Sequence, residues 1–165
     1  MMAPRDLFAL SDLVDADRVK PARVSSGFGS SRGGPNTKRP GHNGVDLRVR
    51  RGSPLYCPAK GAQFEKLLRT PGDKEGTGNG IAVIFHVPIP NTGGKLARIG
   101  IAHMSSAAPR LWHMGAHRRP RSVLMVGELL GWSGNTGGST GPHVHLTVTV
   151  DGAKVDPAEW IDLDG

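Results

Sequence analysis

The chain has 165 residues, with 21 Lys and Arg against 14 Asp and Glu, a net charge of +7 and a pI near 10.2. That length supports one sizeable core, and nothing in the composition indicates an internal repeat or a second domain. A single cysteine excludes an internal disulfide, no stretch is long enough to span a membrane, and the basic residues are scattered, with no aromatic-plus-basic strand of the kind that reads RNA.

From the amino end, residues 6–19 carry a weak helical pattern with Leu7, Leu10 and Val14 on one side. Asp6, Asp12, Asp15 and Asp17 leave no uninterrupted apolar run in this region, so it is not read as a secretory signal. Residues 1–25 hold acidic and apolar side chains but no catalytic motif, which makes them a candidate docking surface ahead of a domain over 26–165. Short apolar runs of β type follow at 24–28, 62–68, 81–87, 96–102 and 144–150, each the length of an antiparallel strand. With 24 glycines and 13 prolines, many short strands joined by turns are expected rather than helices. Residues 157–161 have the look of a terminal turn.

The chemistry concentrates in three places. If His42-Asn43-Gly44-Val45-Asp46 is extended, His42, Gly44 and Asp46 share a face, and Gly44 presents no side chain to obstruct an ion. Asn43, Val45, Leu47 and Val49 then turn the other way, mostly into a core. In Gly141-Pro142-His143-Val144-His145-Leu146, both histidines point to one side of a strand, so one can bind metal while its neighbour stays free. Two histidines and a carboxylate leave zinc with an open fourth position, the pattern of a catalytic rather than a structural site. His103, which ends the apolar run Ile101-Ala102, is placed to act as a general acid or base.

Two other features invite a functional reading and are better explained otherwise. His113 and His117 have the spacing of a helical ligand pair, but Gly115 and nearby prolines argue against a stable helix and for a solvated basic loop over 109–121. Cys57 lies in a proline-bounded strand and reads as a small buried hydrophobe rather than a nucleophile.

These motifs resemble the LytM/lysostaphin-type zinc metallo-endopeptidases that cut peptidoglycan peptides. The pattern of that family is His-x-Gly-x-Asp, a lone His followed by Leu or Met and Ser, and a Gly-Pro-His-x-His strand; here it is met by His42–Asp46, by His103-Met104-Ser105 and by Gly141–His145. The likeness continues through Gly52–Gly61, Gly78–Ile84 and Gly134–Thr140, and covers about residues 26 to 160. It implies a mainly β, antiparallel, sandwich-like single domain of the duplicated hybrid motif type, with a substrate groove across one sheet. It further implies zinc held by His42, Asp46 and His145, with His103 and His143 as the catalytic pair and bacterial peptidoglycan as the partner. No nucleic acid and no membrane insertion are expected.

The chain departs from the family pattern at Ile101, where a Tyr is common, so stabilisation of an oxyanion must rest on zinc and imidazolium donors. The run from Phe28-Gly29 to Arg39-Pro40-Gly41-His42 resembles the entry loop of enzymes cutting between D-alanine and diaminopimelate. Without a leader, a wall hydrolase is expected to reach the wall with a phage or phage-like particle, as a virion or tail component or as a lysis enzyme released toward the periplasm and wall. The alternative is a degenerate, metal-poor relative serving as a structural or wall-binding component of a tail assembly.

Overall fold

Ile81 to Val87 combines β-branched and aromatic residues with few polar ones, and such a run is stable only as a strand covered on both sides. In the computed structural model, which describes residues 7–30, 41–69, 79–117, 121–137 and 141–165, it forms β5 (Ile81–Pro88) near the middle of an antiparallel sheet. The other strands are β1 (Val19–Ser26), β2 (Val45–Val49), β3 (Pro54–Tyr56), β4 (Ala62–Arg69), β6 (Leu96–Ala107), β7 (Val123–Leu124), β8 (Leu129–Ser133), β9 (Val144–Val150) and β10 (Ala153–Val155). The main order is β1-β2-β9-β6-β5-β4-β7, while β10 pairs with β9 and β8 joins β6 to β3. Strands from the two ends of the chain therefore meet in the middle, where β2 lies beside β9 with Asp46 opposite His145.

Alternation sets the two faces. In β2, Val45, Leu47 and Val49 are buried while Asp46 and Arg48 face outward. Phe64, Phe85, Leu47, Ile99, Ile101 and Leu146 fill the core on one side, each fully buried side chain contributing about 1.5–3 kcal/mol of hydrophobic stabilisation. The opposite face of β9 and β6 carries His145, Thr147, Gly100 and Ala102, a polar and small-residue surface on which a groove can form.

The strand β6 changes partners partway along. Up to Ala102 it pairs with β9, and from Met104 onward with β8. His103 sits at the corner with φ +60°, a left-handed conformation that costs a non-glycine residue about 1–3 kcal/mol. Backbone strain of this kind persists only where the surroundings hold it, and here the His103 N–H donates to the Asn79 carbonyl at 2.9 Å.

Several expectations are corrected. The helical pattern over 6–19 yields only α1 (Leu10–Leu13), a 3₁₀ turn at Ala16–Arg18, and then β1, which starts earlier than the expected run at 24–28. The reason is tertiary: the Leu7 and Leu10 N–H groups donate to the Trp160 and Asp162 carbonyls, and the Asp162 N–H donates back to Phe8, so this backbone is spent on a cross-connection rather than on a helix. Leu7, Phe8, Leu10, Leu13 and Val14 are buried in the chain's own core. Conversely, residues 109–116, expected as a loop, form α2 (Pro109–Ala116). Pro109 suits a first turn, Leu111 and Met114 bury one face, and Gly115 allows the helix to approach Leu67 of β4, so packing overrides the low propensity of glycine. The carboxyl-terminal turn is α3 (Pro157–Trp160), with the Asp156 side chain accepting from the Ala158 N–H. Cys57 is buried, and burial raises its thiol pKa.

Candidate active site and metal centre

Three side chains meet where β2 and β9 pair. The distances are 3.1 Å from His42 Nε2 to His145 Nδ1, 2.8 Å from His145 Nδ1 to Asp46 Oδ1, and 3.2 Å from His42 Nε2 to Asp46 Oδ1. A tetrahedral zinc with bonds of ~2.0–2.1 Å needs ligand atoms about 3.3 Å apart, so the triangle has nearly the size of one tetrahedral face. Among the described residues it is the one group of three or more His, Cys, Asp and Glu side chains with donor atoms close enough to share an ion. The set of two neutral imidazoles and a carboxylate suits zinc, and the residues fit that ion.

The far nitrogens of the rings explain why the near ones are available. His42 Nδ1 lies 3.1 Å from the Gly27 carbonyl and 3.0 Å from Ser26 Oγ. A carbonyl only accepts, so Nδ1 carries the proton and the Nε2 lone pair faces the cluster. His145 Nε2 is 3.1 Å from Asn43 Oδ1, which likewise leaves Nδ1 as the ligand atom. Asn43 is therefore not turned toward the core, as expected, but is exposed and supports a ligand. The cause is a bend at residues 43–44 just before β2, which breaks the strict alternation assumed for an extended segment.

Gly44 also has a different reason from the one expected. A Cβ there would lie 2.2 Å from the Leu146 carbonyl oxygen and 2.9 Å from Thr147 Cγ2, so glycine is required by the close approach of β9 rather than by clearance for an ion.

His103 and His143 stand beside the triangle. Their ring centroids are 4.8 Å apart, His103 is 5.9 Å from the His145 ring, and His143 Nε2 is 3.5 Å from Asp46 Oδ1. His103 Nδ1 donates to the Thr136 carbonyl at 2.6 Å and His143 Nδ1 to the Gly141 carbonyl at 2.8 Å, which again fixes each ring with Nε2 as the variable position. Burial lowers the pKa of His103, assisted by the positive neighbours His143 and His145 and opposed by the Thr136 carbonyl and Asp46. Burial would raise the pKa of Asp46, but the surrounding imidazoles of His145, His143 and His42 outweigh it, and the carboxyl is held below its usual range.

Sequence reasoning missed Thr136. Its hydroxyl accepts from the Ile81 N–H at 3.0 Å and donates to the Met104 carbonyl at 2.6 Å, clasping β5 and β6, while its own carbonyl holds His103. The glycine-rich composition of 134–140 signalled a turn, and only the fold shows what the turn grips. Gly80, at φ +62°, passes so close that a Cβ would meet Thr136 Oγ1 at 2.3 Å. The rings of His113 and His117 are tilted at 52° with centroids 4.3 Å apart, and no third donor joins them among the described residues. Residues 31–40 of the expected entry loop, 118–120 of the basic segment and 138–140 of the glycine-rich turn lie outside the described residues.

A groove of about 130 Å³ runs from His145 and Asn43 over Ala102 and Gly100. An antiparallel sheet with a histidine and aspartate cluster on its floor that could hold a metal, and two further imidazoles beside it, has the arrangement of a metallopeptidase domain.

No protein-family model matches the chain. An uncharacterized metalloprotease of Haemophilus influenzae is 33% identical over 137 residues, covering 82% of this chain and 24% of the relative. A peptidoglycan DD-endopeptidase of Vibrio cholerae is 29% identical over 81% of this chain and 26% of its own length. The fold matches the crystal structure of a zinc-containing peptidase from Vibrio cholerae with TM-score 0.65 and 22% identity, covering 93% of this chain and 40% of that one. Over most of its own length the chain is similar to metallopeptidases, and its fold is that of the LytM/lysostaphin type. It spans about a quarter of the length of the curated relatives it matches.

Proposed function

We propose that the chain is a zinc-dependent endopeptidase that hydrolyses cross-links or stem peptides of bacterial peptidoglycan. The observation that carries this reading is the convergence of His42 Nε2, His145 Nδ1 and Asp46 Oδ1 in one triangle, with His103 and His143 at its side. The activity of the Vibrio cholerae relative supports the choice of substrate.

His42, Asp46 and His145 hold the metal. Zinc, when bound, supplies Lewis acidity toward the scissile carbonyl and toward water. His103 Nε2 accepts a proton: its Nδ1–H is committed to Thr136, and burial keeps the ring neutral near pH 7. His143 Nε2 borders the same space and presents its N–H to developing negative charge or to the departing amine. The buried Ile101 offers no hydroxyl for that task.

Digestion of defined wall fragments, with mass analysis of the products, tests the reading. Zinc-loaded wild type should release peptide fragments, whereas His103→Ala and His143→Ala should retain zinc and lose about a hundred- to ten-thousandfold in turnover. Near-normal cleavage by both variants would show that the proton-transfer roles are misassigned. Carriage by a phage or phage-like particle is the finer part of the proposal. Copurification with particles tests it, and recovery from the free lysate alone favours a lysis enzyme. No helix among the described residues is long and apolar enough to cross a membrane.

A further inference from the structure

The groove beside the metal centre is not uniform along its length. Strand register places its residues in rows. His145 pairs with Ala102; one step along, Thr147, Gly100, Ile84 and Lys66 follow one another across four strands; beyond them Thr149 lies opposite both Arg98 and Lys154. Each step of two residues advances about 6.7 Å, so the last row lies about 13 Å from the metal row. Small residues keep the floor low. At Gly100 a Cβ would meet Thr147 Oγ1 at 2.5 Å.

The far end is cationic. Lys66, Arg98 and Lys154 line the groove, and no acidic side chain does so among the described residues. Glu65 pairs with Arg98 through two bonds of 2.9 Å and lies 3.8 Å from Lys66, so one carboxylate is shared by two of the three cations. No acidic partner of Lys154 is found among the described residues. The pKa of Lys154 is lowered, first by partial desolvation of its side chain and then by Arg98. Three cations against one carboxylate leave an excess of positive charge at the end of a concave channel, which favours an anion there. Buried nearby, Thr149 Oγ1 has no hydrogen-bond partner.

We infer that this end of the groove binds a carboxylate carried by the peptide substrate, so that the site selects anionic peptides over neutral or amidated ones. The inference rests on the endopeptidase reading and adds a substrate class to it. A peptide lying along the floor from the scissile bond at His145 brings a carboxylate to Lys66 and Lys154 from a residue a few positions away, or from the end of a long side chain. Charge-assisted hydrogen bonds of this kind contribute about 1.5–3 kcal/mol when well formed. Discrimination of roughly 10- to 100-fold is therefore expected.

The test compares a stem peptide bearing free carboxylates with the same peptide as carboxamides. Binding is measured by calorimetry on the zinc-loaded His143→Ala protein, and cleavage on the wild-type background. Free carboxylates should bind about 10- to 100-fold more tightly and lower KM with little change in kcat. In Lys66→Gln/Lys154→Gln the preference should fall below about threefold, with zinc content unchanged; both side chains are exposed, so the fold is expected to survive. Equal binding of the two peptides by protein with intact lysines, or full discrimination in the double variant, overturns the inference. Cleavage of neither peptide, with the binding preference intact, would instead count against the endopeptidase reading and leave the anion site standing.

Discussion

Replacing Gly44 by alanine is the sharpest probe of how the metal centre is assembled. The new Cβ would lie 2.2 Å from the Leu146 carbonyl oxygen and 2.9 Å from Thr147 Cγ2, where ordinary contact begins near 3.4 Å. A backbone oxygen cannot rotate away, so β2 and β9 must part by about 1 Å, at an overpacking cost of about 1–3 kcal/mol. Val45 pairs with Leu146 and Asp46 with His145, so the displacement falls on the gap between the His42–Asp46 pair and His145. The separations of 3.1 Å and 2.8 Å from His145 to His42 and Asp46 would widen toward ~4 Å, beyond the ~3.3 Å spacing of ligands on a tetrahedral zinc. Zinc affinity should fall about 100-fold, a loss of the size seen when ligand-orienting neighbours are removed. The melting temperature should fall by roughly 3–9 °C. Zinc content after dialysis against a competing chelator, together with scanning calorimetry, measures both. Gly141→Ala is the control, because a Cβ there meets nothing within 4 Å. Wild-type zinc affinity in Gly44→Ala would refute the steric account.

Removal of any ligand, in His42→Ala, Asp46→Ala or His145→Ala, should abolish most bound zinc, and one zinc per chain persisting in His145→Ala would reject the assignment. Glu65 titrates at about 2 rather than 4.5, first because Arg98 hydrogen-bonds it and also because His86 does, partly offset by burial. A depressed carboxyl contributes stability that is present above its unfolded pKa and lost as pH falls from about 4.5 toward 2; for this partly exposed group the contribution is about 1 kcal/mol after screening. Urea unfolding of Glu65→Gln should lack that part of the acid slope, and an unchanged slope would contradict it. Leu13→Ala should cost about 2–5 kcal/mol in chemical denaturation, because the side chain is fully buried; a cost near zero would return the amino-terminal segment to the role of a free arm.

The residues that cluster at the candidate site were legible because their spacing is local and their chemistry is narrow: His-x-Gly-x-Asp and His-x-His each place two polar groups within one short segment. What remained hidden depended on partners distant in sequence. Asn43 supports His145 across 102 positions, and Thr136 grips β5 and β6 only once the sheet exists. The central strands announced themselves by β-branched runs, whereas α2 was obscured by Gly115, whose use is an approach to Leu67 that no window of sequence reveals. The amino-terminal helical pattern misled because Leu7, Leu10 and Val14 are buried by contact with the carboxyl-terminal residues, which a periodicity cannot distinguish from burial on a helix face.

The row formed by Asp46, His145 and Ala102 puts two of the three candidate metal ligands on one line of the sheet, with His103 at the adjoining corner. Slippage of β9 by one residue would turn His145 into the core and bring Leu146 to the surface. Chains paired in the wrong register would thus lack a metal centre altogether instead of having a weakened one. Contacts between residues so far apart in sequence are slow to form. Newly made polypeptide would consequently bind no metal at this cluster until β2 and β9 have paired in register.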